Sequence, residues 1–351
     1  MIIPIFIMNR GCPHRCIFCN ERLTAGSHPA KITDADFNDL IRTHLAKPSR
    51  KKGHAQIAFY GGTFTGMEHA EQERLLSLAA PFLRAGQVDS LRISTRPDEI
   101  DAANLAFLKL SGVAAIEIGV QSFDDEVLIQ SRRGHTAADN IRAIKLLREG
   151  GFTTGIHLMA GLPGDTPERF SQTVEKTITL RPDTVRIHPT IVLKNTTLAR
   201  DFMEKKYQPL TLPEAVALAK DALKRFAKAG IPIIRLGLQT TGELEEEGAV
   251  LGGPFHPAFR ALVEAAIFYD MAETLLHAAA GRKKEIRFIV SPQDISNLLG
   301  LRRENIATLK RSCGTENIQV QTDPSLARGN LVLLVEGKKL RTNFSGGIDE
   351  L

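Results

Sequence analysis

A chain of 351 residues with 43% hydrophobic and 24% charged residues has the composition of an ordinary globular protein, long enough for two domains or one barrel with an appendage. The net charge of +5 permits a phosphate-bearing partner without requiring one. Because no apolar run approaches the roughly 20 residues of a membrane span and three of four cysteines are clustered, we expect a cytoplasmic protein with a metal site and no disulfide framework.

The first predicted strand covers residues 2–8 and leads directly into Cys12, Cys16 and Cys19. Three thiolates on one short loop can hold three irons of a cubic 4Fe–4S cluster, which leaves the fourth iron open for another ligand. The same cysteines with His14 or another histidine could instead form a structural zinc site. The spacing alone leaves both kinds of site open.

After the cysteines, the chain alternates between apolar strands and amphipathic helices. Predicted helices cover residues 34–46, 67–83, 137–149, 168–180 and 213–229, with one more ending at residue 110, and predicted strands cover residues 56–60, 91–94, 115–120, 154–159, 184–188 and 231–236. Six or seven such units predict a parallel sheet with right-handed crossovers. Because no GxGxxG motif follows the first strand, we expect a partial, TIM-like (β/α)6 barrel and not a dinucleotide-binding fold.

Five of the predicted strands end in polar or glycine-rich segments. In a (β/α) barrel the working residues lie in the loops after the strands, so these segments are expected to meet at one rim. They are the cysteine loop, Gly61-Gly62, Thr95-Arg96, Gln121-Ser122 and residues 161–164.

The spacing of Cys12, Cys16 and Cys19, with no fourth cysteine nearby, resembles the CxxxCxxC signature of radical S-adenosylmethionine (SAM) enzymes. That resemblance implies two cofactors, a 4Fe–4S cluster and SAM. In this family the reduced cluster splits SAM, and the resulting 5′-deoxyadenosyl radical abstracts hydrogen from a substrate. A reductant such as a flavodoxin or ferredoxin is implied as a partner.

The resemblance also implies which residues contact SAM. Residues 61–63 match the GGE-like loop that binds the amino group of SAM, with threonine where many members carry glutamate. Residues 118–122, followed by residues 132–136, are similar to the IGVQS…RxH pattern of oxygen-independent coproporphyrinogen oxidase and Elongator, in which glutamine and arginine contact SAM. The contacts implied by these two segments are Gly61, Gly62, Thr63, Gln121, Ser122 and Arg133.

Four further positions follow from the same resemblance. Leu162 lies in residues 158–164, which are similar to the segment that flanks the adenine, and Phe18 matches an aromatic residue near the adenine. Ser94 and His157 stand where relatives carry glutamate and aspartate near the amino acid or ribose of SAM. His157 could equally be a histidine of the barrel core.

Three other segments resemble the catalytic subunit of Elongator in particular. They are TRPD at residues 95–98, residues 237–239, and GPFHP at residues 253–257. In that subunit, an acetyltransferase-like domain follows the radical-SAM portion, and the two modify the wobble uridine of tRNA. The resemblance ends near residue 275 and the chain at residue 351, so we expect the fold and cofactors of this branch without acetyl-CoA-dependent chemistry by this chain alone.

We expect residues 1–280 to form the radical SAM barrel domain with an Elongator-like extension. Residues 281–341 predict a small α/β domain in the order β-α-α-β-β, which resembles a degenerate RNA-binding KH-like module because residues 300–303 lack the second glycine of a GxxG loop. The domain could also be a packing appendage without a ligand. Residues 342–351 are expected to form a frayed tail.

The sequence therefore predicts a radical SAM enzyme, with tRNA or another RNA as its substrate. Basic runs, as at residues 50–52, 282–284 and 302–303, are compatible with RNA but are equally expected of solvated loops. Two alternatives remain: a radical SAM enzyme that acts on a small molecule or peptide, and a non-catalytic zinc- or SAM-binding protein that binds RNA.

Overall fold

The computed structural model describes residues 1–28, 31–47, 55–279, 285–315 and 317–350, so the basic runs at 50–52 and 282–284 lie outside the described residues. The chain divides into two compact units. The first comprises Met1–Thr211 and Leu238–Phe255, and the second comprises Leu212–Gly237 and His256–Leu351.

The described strands, in chain order, are β1 (Ile2–Phe6), β2 (Gln56–Tyr60), β3 (Ser90–Thr95), β4 (Val113–Gln121), β5 (Thr153–Ala160), β6 (Thr184–Pro189), β7 (Val192–Leu193), β8 (Ile233–Leu236), β9 (Val250–Gly252), β10 (Ile286–Val290), β11 (Ile318–Thr322), β12 (Asn330–Val335), β13 (Lys338–Asn343) and β14 (Asp349–Glu350).

The described α-helices are α1 (Glu21–Ala25), α2 (Asp34–Leu45), α3 (His69–Arg84), α4 (Ala102–Leu110), α5 (Asp125–Gln130), α6 (Ala137–Glu149), α7 (Pro167–Leu180), α8 (Thr197–Met203), α9 (Leu212–Lys228), α10 (Gly242–Glu245), α11 (Phe259–Ala278), α12 (Ile295–Leu299) and α13 (Glu304–Cys313). Short 3-10 turns occupy Phe64–Gly66, Pro97–Glu99 and Leu301–Arg303. Within the described part of the chain, none of these helices has the length and apolar content that a membrane crossing needs.

The first unit is built on six parallel strands, β1 to β6, which neighbour one another in chain order. One set of alternating side chains is aliphatic and fully buried, as at Ile57, Ile93 and Ile118. The other set is largely polar and only partly buried, as at Tyr60 and Arg92. A sheet with one apolar face for the helices and one polar face for a lumen confirms the predicted partial, TIM-like barrel.

The crossover helices begin at side chains that accept hydrogen bonds from their first-turn amides. Thr33, Asp101 and Thr166 do so for α2, α4 and α7. Thr136 and Asp139 form a reciprocal capping box at the start of α6. Because these caps are visible in the sequence, the predicted helices at 137–149 and 168–180 begin within one residue of the observed ones.

The loop after β6 is hydrogen-bonded to the cysteine loop after β1. The Leu198 amide donates to the Ile17 carbonyl at 2.9 Å, and Asn20 Nδ2 donates to the Lys194 carbonyl at 2.8 Å. Ile17, Leu198 and Val192 are buried in one apolar cluster. The first and last strands of the six are therefore connected at the rim through their loops.

The second unit contains a five-stranded sheet in the order β11-β10-β12-β13-β14. Strand β11 is parallel to β10, and the other pairs are antiparallel. Helix α11 packs against α12, α13, β12 and β13 and supplies much of the buried apolar surface. The predicted domain boundary at residue 280 therefore does not separate the two units, because α11 belongs to the core of the second.

The prediction that residues 342–351 form a frayed tail is wrong for the described residues up to 350. Strand β13 pairs with β12 along its length, and Arg341 pairs with Asp349 of β14. The buried Thr342 hydroxyl donates to the Gly347 carbonyl at 2.6 Å, and Phe344 packs edge-on against Phe268 at 5.5 Å between ring centroids. The polar, glycine-containing residues 344–348 form the connection between β13 and β14.

Leu340 tests this correction, because only 5% of its surface is exposed on β13. We expect Leu340→Ala to lower the free energy of unfolding of the second unit by about 2–4 kcal/mol, since the change leaves a cavity under the strand. Lys338→Ala, at the exposed end of the same strand, should change it by less than about 0.5 kcal/mol. Urea unfolding followed by circular dichroism measures both variants, and two equally small effects would contradict an ordered β13.

Candidate cofactor site at the barrel rim

The three cysteines lie on the loop between β1 and α1. Cys12 and Cys19 are exposed and Cys16 is half-buried. Desolvation within the loop raises the pKa of Cys12 and of Cys19, and the Glu21 carboxylate and the neighbouring thiols raise both further. The thiols are therefore near enough to repel one another as thiolates, although the described residues contain no ready-made set of three metal ligands. A bound cation is what would favour three thiolates on this loop.

The loop after β2 lies directly against the backbone of the cysteine loop. A Cβ atom on Gly62 would lie 2.6 Å from the Arg10 carbonyl oxygen, and one on Gly66 would lie 2.2 Å from the Gly11 carbonyl oxygen. Both distances are far inside van der Waals contact, so no side chain fits at either glycine. Gly11 and Gly66 were not among the predicted site residues, and their signal in the sequence is the density of glycines in two neighbouring strand-end loops.

Thr63 and Gly61 complete this contact. Thr63 Oγ1 lies 3.2 Å from Cys12 Sγ, and the Gly61 carbonyl accepts a hydrogen bond from the Asn9 amide at 2.6 Å. The loop after β2 is thus in direct contact with the cysteine loop through both its main chain and the Thr63 side chain. Contacts of Gly61, Gly62 and Thr63 with the amino group of SAM stay a prediction.

Arg133 is buried between the cysteine loop and β4. Its Nη1 donates to Cys16 Sγ at 2.9 Å and its Nη2 donates to the Gly119 carbonyl at 2.6 Å. Its Nε is buried without a hydrogen-bond partner among the described residues. A guanidinium at this position stabilises negative charge on the Cys16 sulfur. The predicted contact of Arg133 with SAM is not tested by these bonds, but the open Nε leaves a donor for a ligand.

The TRPD segment at residues 95–98 positions Arg133. The buried Arg96 donates from Nε to Asp98 Oδ1 at 3.0 Å and from Nη2 to Asp98 Oδ2 at 2.8 Å. Its Nη2 also donates to the Arg133 carbonyl. The ion pair fixes a planar guanidinium under the backbone of Arg133. The TRPD motif is visible in the sequence, but the sequence alone assigns no role to its residues.

Gln121 is the last residue of β4 and Ser122 follows it at the rim. The surroundings of the two side chains differ. Gln121 is buried with a φ of 66°, and its Oε1 has no hydrogen-bond partner among the described residues. An unpartnered buried oxygen at a strained rim position suits a ligand contact. The Ser122 hydroxyl lies 3.3 Å from Thr173 Oγ1 and accepts from the Asp124 amide at 3.1 Å. Ser122 is thus satisfied by the protein, and its contact with SAM stays a prediction.

Three further predicted contacts lie around the rim. Phe18 packs against the apolar cluster that contains Ile17 and Val192. Leu162 is buried at the end of β5. Ser94 pairs in register with Glu117, on the polar face of the sheet. The structure brings these residues to the loops and the lumen without testing their contact with adenine or ribose.

His157 lies on the polar face of β5, with its ring edge-on to His188 at 4.3 Å between centroids. Burial, followed by the positive charges of His188, Arg186 and Arg133, lowers the pKa of His157 well below its usual value. The imidazole is therefore neutral near pH 7 and can both donate and accept. Its Nε2 is buried with no hydrogen-bond partner among the described residues, which distinguishes it from a satisfied core histidine.

The donor set of this rim fits a 4Fe–4S cluster with one open iron. Three thiols come from one loop, and a guanidinium donates to the half-buried one. The zinc alternative needs a fourth ligand, but the His14 ring lies against Gly134, where a Cβ atom would be 2.2 Å from the ring. The unpartnered atoms of Arg133 and Gln121 leave polar groups for a second ligand beside the cluster.

The contact between the two loops predicts the effect of one methyl group. Gly62→Ala should displace the cysteine loop and lower the iron and sulfide bound per chain after anaerobic reconstitution by roughly half or more, because the Arg10 carbonyl that the new methyl group would meet is held by the Thr63 amide at 2.9 Å. Gly242→Ala is the matched control, since nothing lies within 4 Å of a Cβ atom there. Equal cluster content in the two variants would contradict a supporting role for the loop after β2.

Comparison with known proteins agrees with this geometry. The family model for the radical SAM superfamily matches residues 6–177, and the radical SAM C-terminal domain matches residues 182–268. The tRNA uridine(34) acetyltransferase of Dehalococcoides mccartyi is 36% identical over 242 residues, which cover 59% of this chain and 53% of the relative. Its namesake in Methanocaldococcus infernus is 26% identical over 269 residues, 66% of this chain and 49% of the relative.

The chain thus spans about half the length of these curated relatives. The solved structure of archaeal Methanocaldococcus infernus Elp3 with an N-terminal deletion superimposes with a TM-score of 0.60 at 19% identity, covering 97% of this chain and 77% of that one. This likeness shows the fold. The cysteine loop, the barrel and the two matched family models establish that the chain is a member of the radical SAM superfamily, an enzyme family that works with a 4Fe–4S cluster and SAM.

Proposed function

We propose that this radical SAM enzyme acts on RNA, and on a transfer RNA in the first instance. The observation that carries the proposal is the sequence likeness to two relatives named tRNA uridine(34) acetyltransferases, which extends over 242 and 269 residues. The net charge of +5 is favourable for a polyanionic partner. The reaction class follows from the superfamily, and the RNA substrate is the part that needs a test.

When bound, the 4Fe–4S cluster and SAM supply a 5′-deoxyadenosyl radical for hydrogen abstraction. The residues of the chain position the two cofactors and supply positive charge beside them. Its three cysteines hold the metal, and Arg133 stabilises negative charge on Cys16 through a hydrogen bond of 2.9 Å. Arg96 and Asp98 keep Arg133 in place from below. The unpartnered Oε1 of Gln121 is positioned to orient the second ligand at the rim.

Two adjacent arginines of the second unit are the surface cations that we assign to RNA backbone. Arg302 and Arg303 are exposed, directly before α13, with left-handed φ values of 49° and 64°. They occupy the place between two helices where a KH module carries its backbone-clamping loop. Among the described residues neither guanidinium has a hydrogen-bond or ion-pair partner, so both can pair with phosphates at little desolvation cost.

The surface assignment predicts a change in salt dependence. The double variant Arg302→Gln, Arg303→Gln should weaken tRNA binding and lower the slope of log affinity against log salt by roughly 1.5–2, because two phosphate contacts are lost. Arg84→Gln combined with Arg142→Gln, on the outer helices of the barrel, is the matched control of equal charge. Filter binding of the reconstituted protein measures all three. An unchanged slope would remove the arginine pair from the interface, and no tRNA binding at all would remove RNA as the substrate.

The radical chemistry is tested separately. With dithionite and SAM under anaerobic conditions, the reconstituted protein should form 5′-deoxyadenosine, and Cys16→Ala should abolish it because one iron loses its thiolate. Addition of bulk tRNA should increase the yield if tRNA supplies the hydrogen. Mass spectrometry quantifies the product, and cleavage that survives in the Cys16 variant would contradict the assignment of this cysteine.

A small molecule or peptide is the second candidate substrate, and the polar lumen of the barrel favours it. The lumen carries charged side chains on three strands, including Arg92, Glu117 and Arg186. With such a substrate, the arginine pair at 302–303 would have no effect on product formation. The comparison of the double variant with wild type therefore separates the two candidates.

A further inference from the structure

The inner face of the barrel carries three polar side chains that converge on one carboxylate oxygen of a fourth. Glu117 Oε1 accepts from Arg92 Nη1 at 2.8 Å, from Arg186 Nη2 at 2.8 Å and from the Tyr60 hydroxyl at 3.2 Å. We refer to Tyr60, Arg92, Glu117 and Arg186 as the lumen cluster. Their strands are β2, β3, β4 and β6, so the cluster exists only when the barrel is assembled.

The lumen cluster has two positive charges and one negative charge. The side chains of Arg92 and Glu117 are 12% and 8% exposed, and that of Arg186 is 23% exposed. In a partly desolvated site an unbalanced charge interacts strongly with any counter-ion that can enter. The net charge of the cluster is therefore +1, and one more negative charge would neutralise it.

The unbalanced charge is best accessible on Arg186. Arg92 is occupied on its other side, because its Nε and Nη2 donate to Gln56 Oε1 at 3.2 and 3.0 Å. The Arg186 guanidinium lies over the Tyr60 ring at 5.3 Å from the centroid, and its Nε is buried without a hydrogen-bond partner among the described residues. A buried guanidinium nitrogen with no acceptor is a position where a ligand oxygen is expected.

The strand registers place this cluster directly below the cofactor site. Arg186 of β6 pairs with His157 of β5, and His157 pairs with Gly119 of β4, whose carbonyl accepts from Arg133. Glu117 lies one inward-facing position below Gly119 on the same strand. In register order, Arg133 and His157 therefore lie between the cysteine loop and the lumen cluster.

Gly155 shows that the fold makes space for this arrangement. A Cβ atom on Gly155 would lie 3.1 Å from Glu117 Cγ, so a larger residue on β5 would press on the carboxylate side chain. Next along the strand on the same face, the buried Nε2 of His157 also has no acceptor or donor among the described residues. Two unpartnered nitrogens, on His157 and Arg186, thus belong to strands that pair in register at these two residues.

We infer that the lumen cluster binds an oxyanion group of the substrate, a carboxylate or a phosphate, with Arg186 as the principal contact and His157 as a second donor. The inference rests on the proposed function in one respect, since the anion belongs to the molecule from which hydrogen is taken. To the proposed function the inference adds that the substrate is negatively charged and that its charged group binds inside the barrel, below the cofactor site. Glu117 then lowers the affinity for the anion, because its carboxylate neutralises one of the two arginine charges.

The inference is tested by anaerobic calorimetric titration of the reconstituted protein, without SAM and loaded with SAM, with inorganic phosphate and, separately, with acetate, at constant ionic strength kept with chloride. At least one of the two anions should bind with one site per chain. Arg186→Gln should weaken that binding about tenfold or more, because the main counter-charge is removed. Arg186→Lys, which keeps the charge, should retain most of the binding and guards against a variant that fails to fold.

Glu117→Gln provides a change of opposite sign. Without the carboxylate, both arginine charges face the ligand, so anion affinity should rise about tenfold. A purely structural role for Glu117 predicts no such gain. Arg142→Gln is the control for a lost positive charge outside the lumen, and it should leave the affinity unchanged, since Arg142 pairs with Asp139 on α6.

Three outcomes would overturn the inference. They are no binding of either anion, binding that Arg186→Gln leaves intact, and binding that disappears when SAM is present, which would assign the cluster to the carboxylate of SAM itself. A larger effect of phosphate indicates a nucleotide-type group, and a larger effect of acetate indicates a carboxylate. The tRNA titration does not depend on this result, so failure here leaves the RNA proposal standing, and failure of the RNA proposal leaves an anionic small molecule as the occupant.

Discussion

The direct backbone contact between two strand-end loops is the constraint on which the rim depends. Strands β1 and β2 are parallel and in register up to Phe6 and Tyr60, so the loops that follow leave the sheet side by side. They can touch only because Gly11, Gly62 and Gly66 carry no side chains where the two backbones meet. The position of the cysteine loop is thereby fixed by main-chain packing, and the thiols remain free to bind metal.

A series of hydrogen bonds runs along the rim from Asp98 and ends at the cysteine loop. Asp98 holds Arg96, Arg96 contacts the main chain of Arg133, and Arg133 donates to the sulfur of Cys16. Each member is buried or half-buried, so each bond is less screened than on a surface. Below, the two arginines of the lumen cluster share the single carboxylate of Glu117. The first unit thus has positive charge both at the sulfur atoms and in the cavity beneath them.

Most of the fold was predictable from the sequence because its signals are local: apolar strands, capped helices, and glycines after strands. The three thiols of the candidate cluster site were visible for the same reason, since they fall within eight residues of one another. The lumen cluster was not, because Arg92, Glu117 and Arg186 lie far apart in the chain and meet only through strand register. The boundary of the second unit depends on the long-range packing of α11, and the pairing of β13 with β12 and β14 has no local signal in the terminal residues.

The hydrogen bonds between the loop after β6 and the cysteine loop connect the first and the last of the six strands at the rim of the open barrel. Strand β6 carries Arg186 on its inner face and continues into the segment that bonds Ile17 and Asn20. The continuation of the strand that carries Arg186 is therefore hydrogen-bonded to Ile17, between Cys16 and Cys19, and to Asn20, directly before α1. A displacement of β6 along its axis would move these bonds, so the position of β6 and the geometry of the cysteine loop depend on one another through one short piece of main chain.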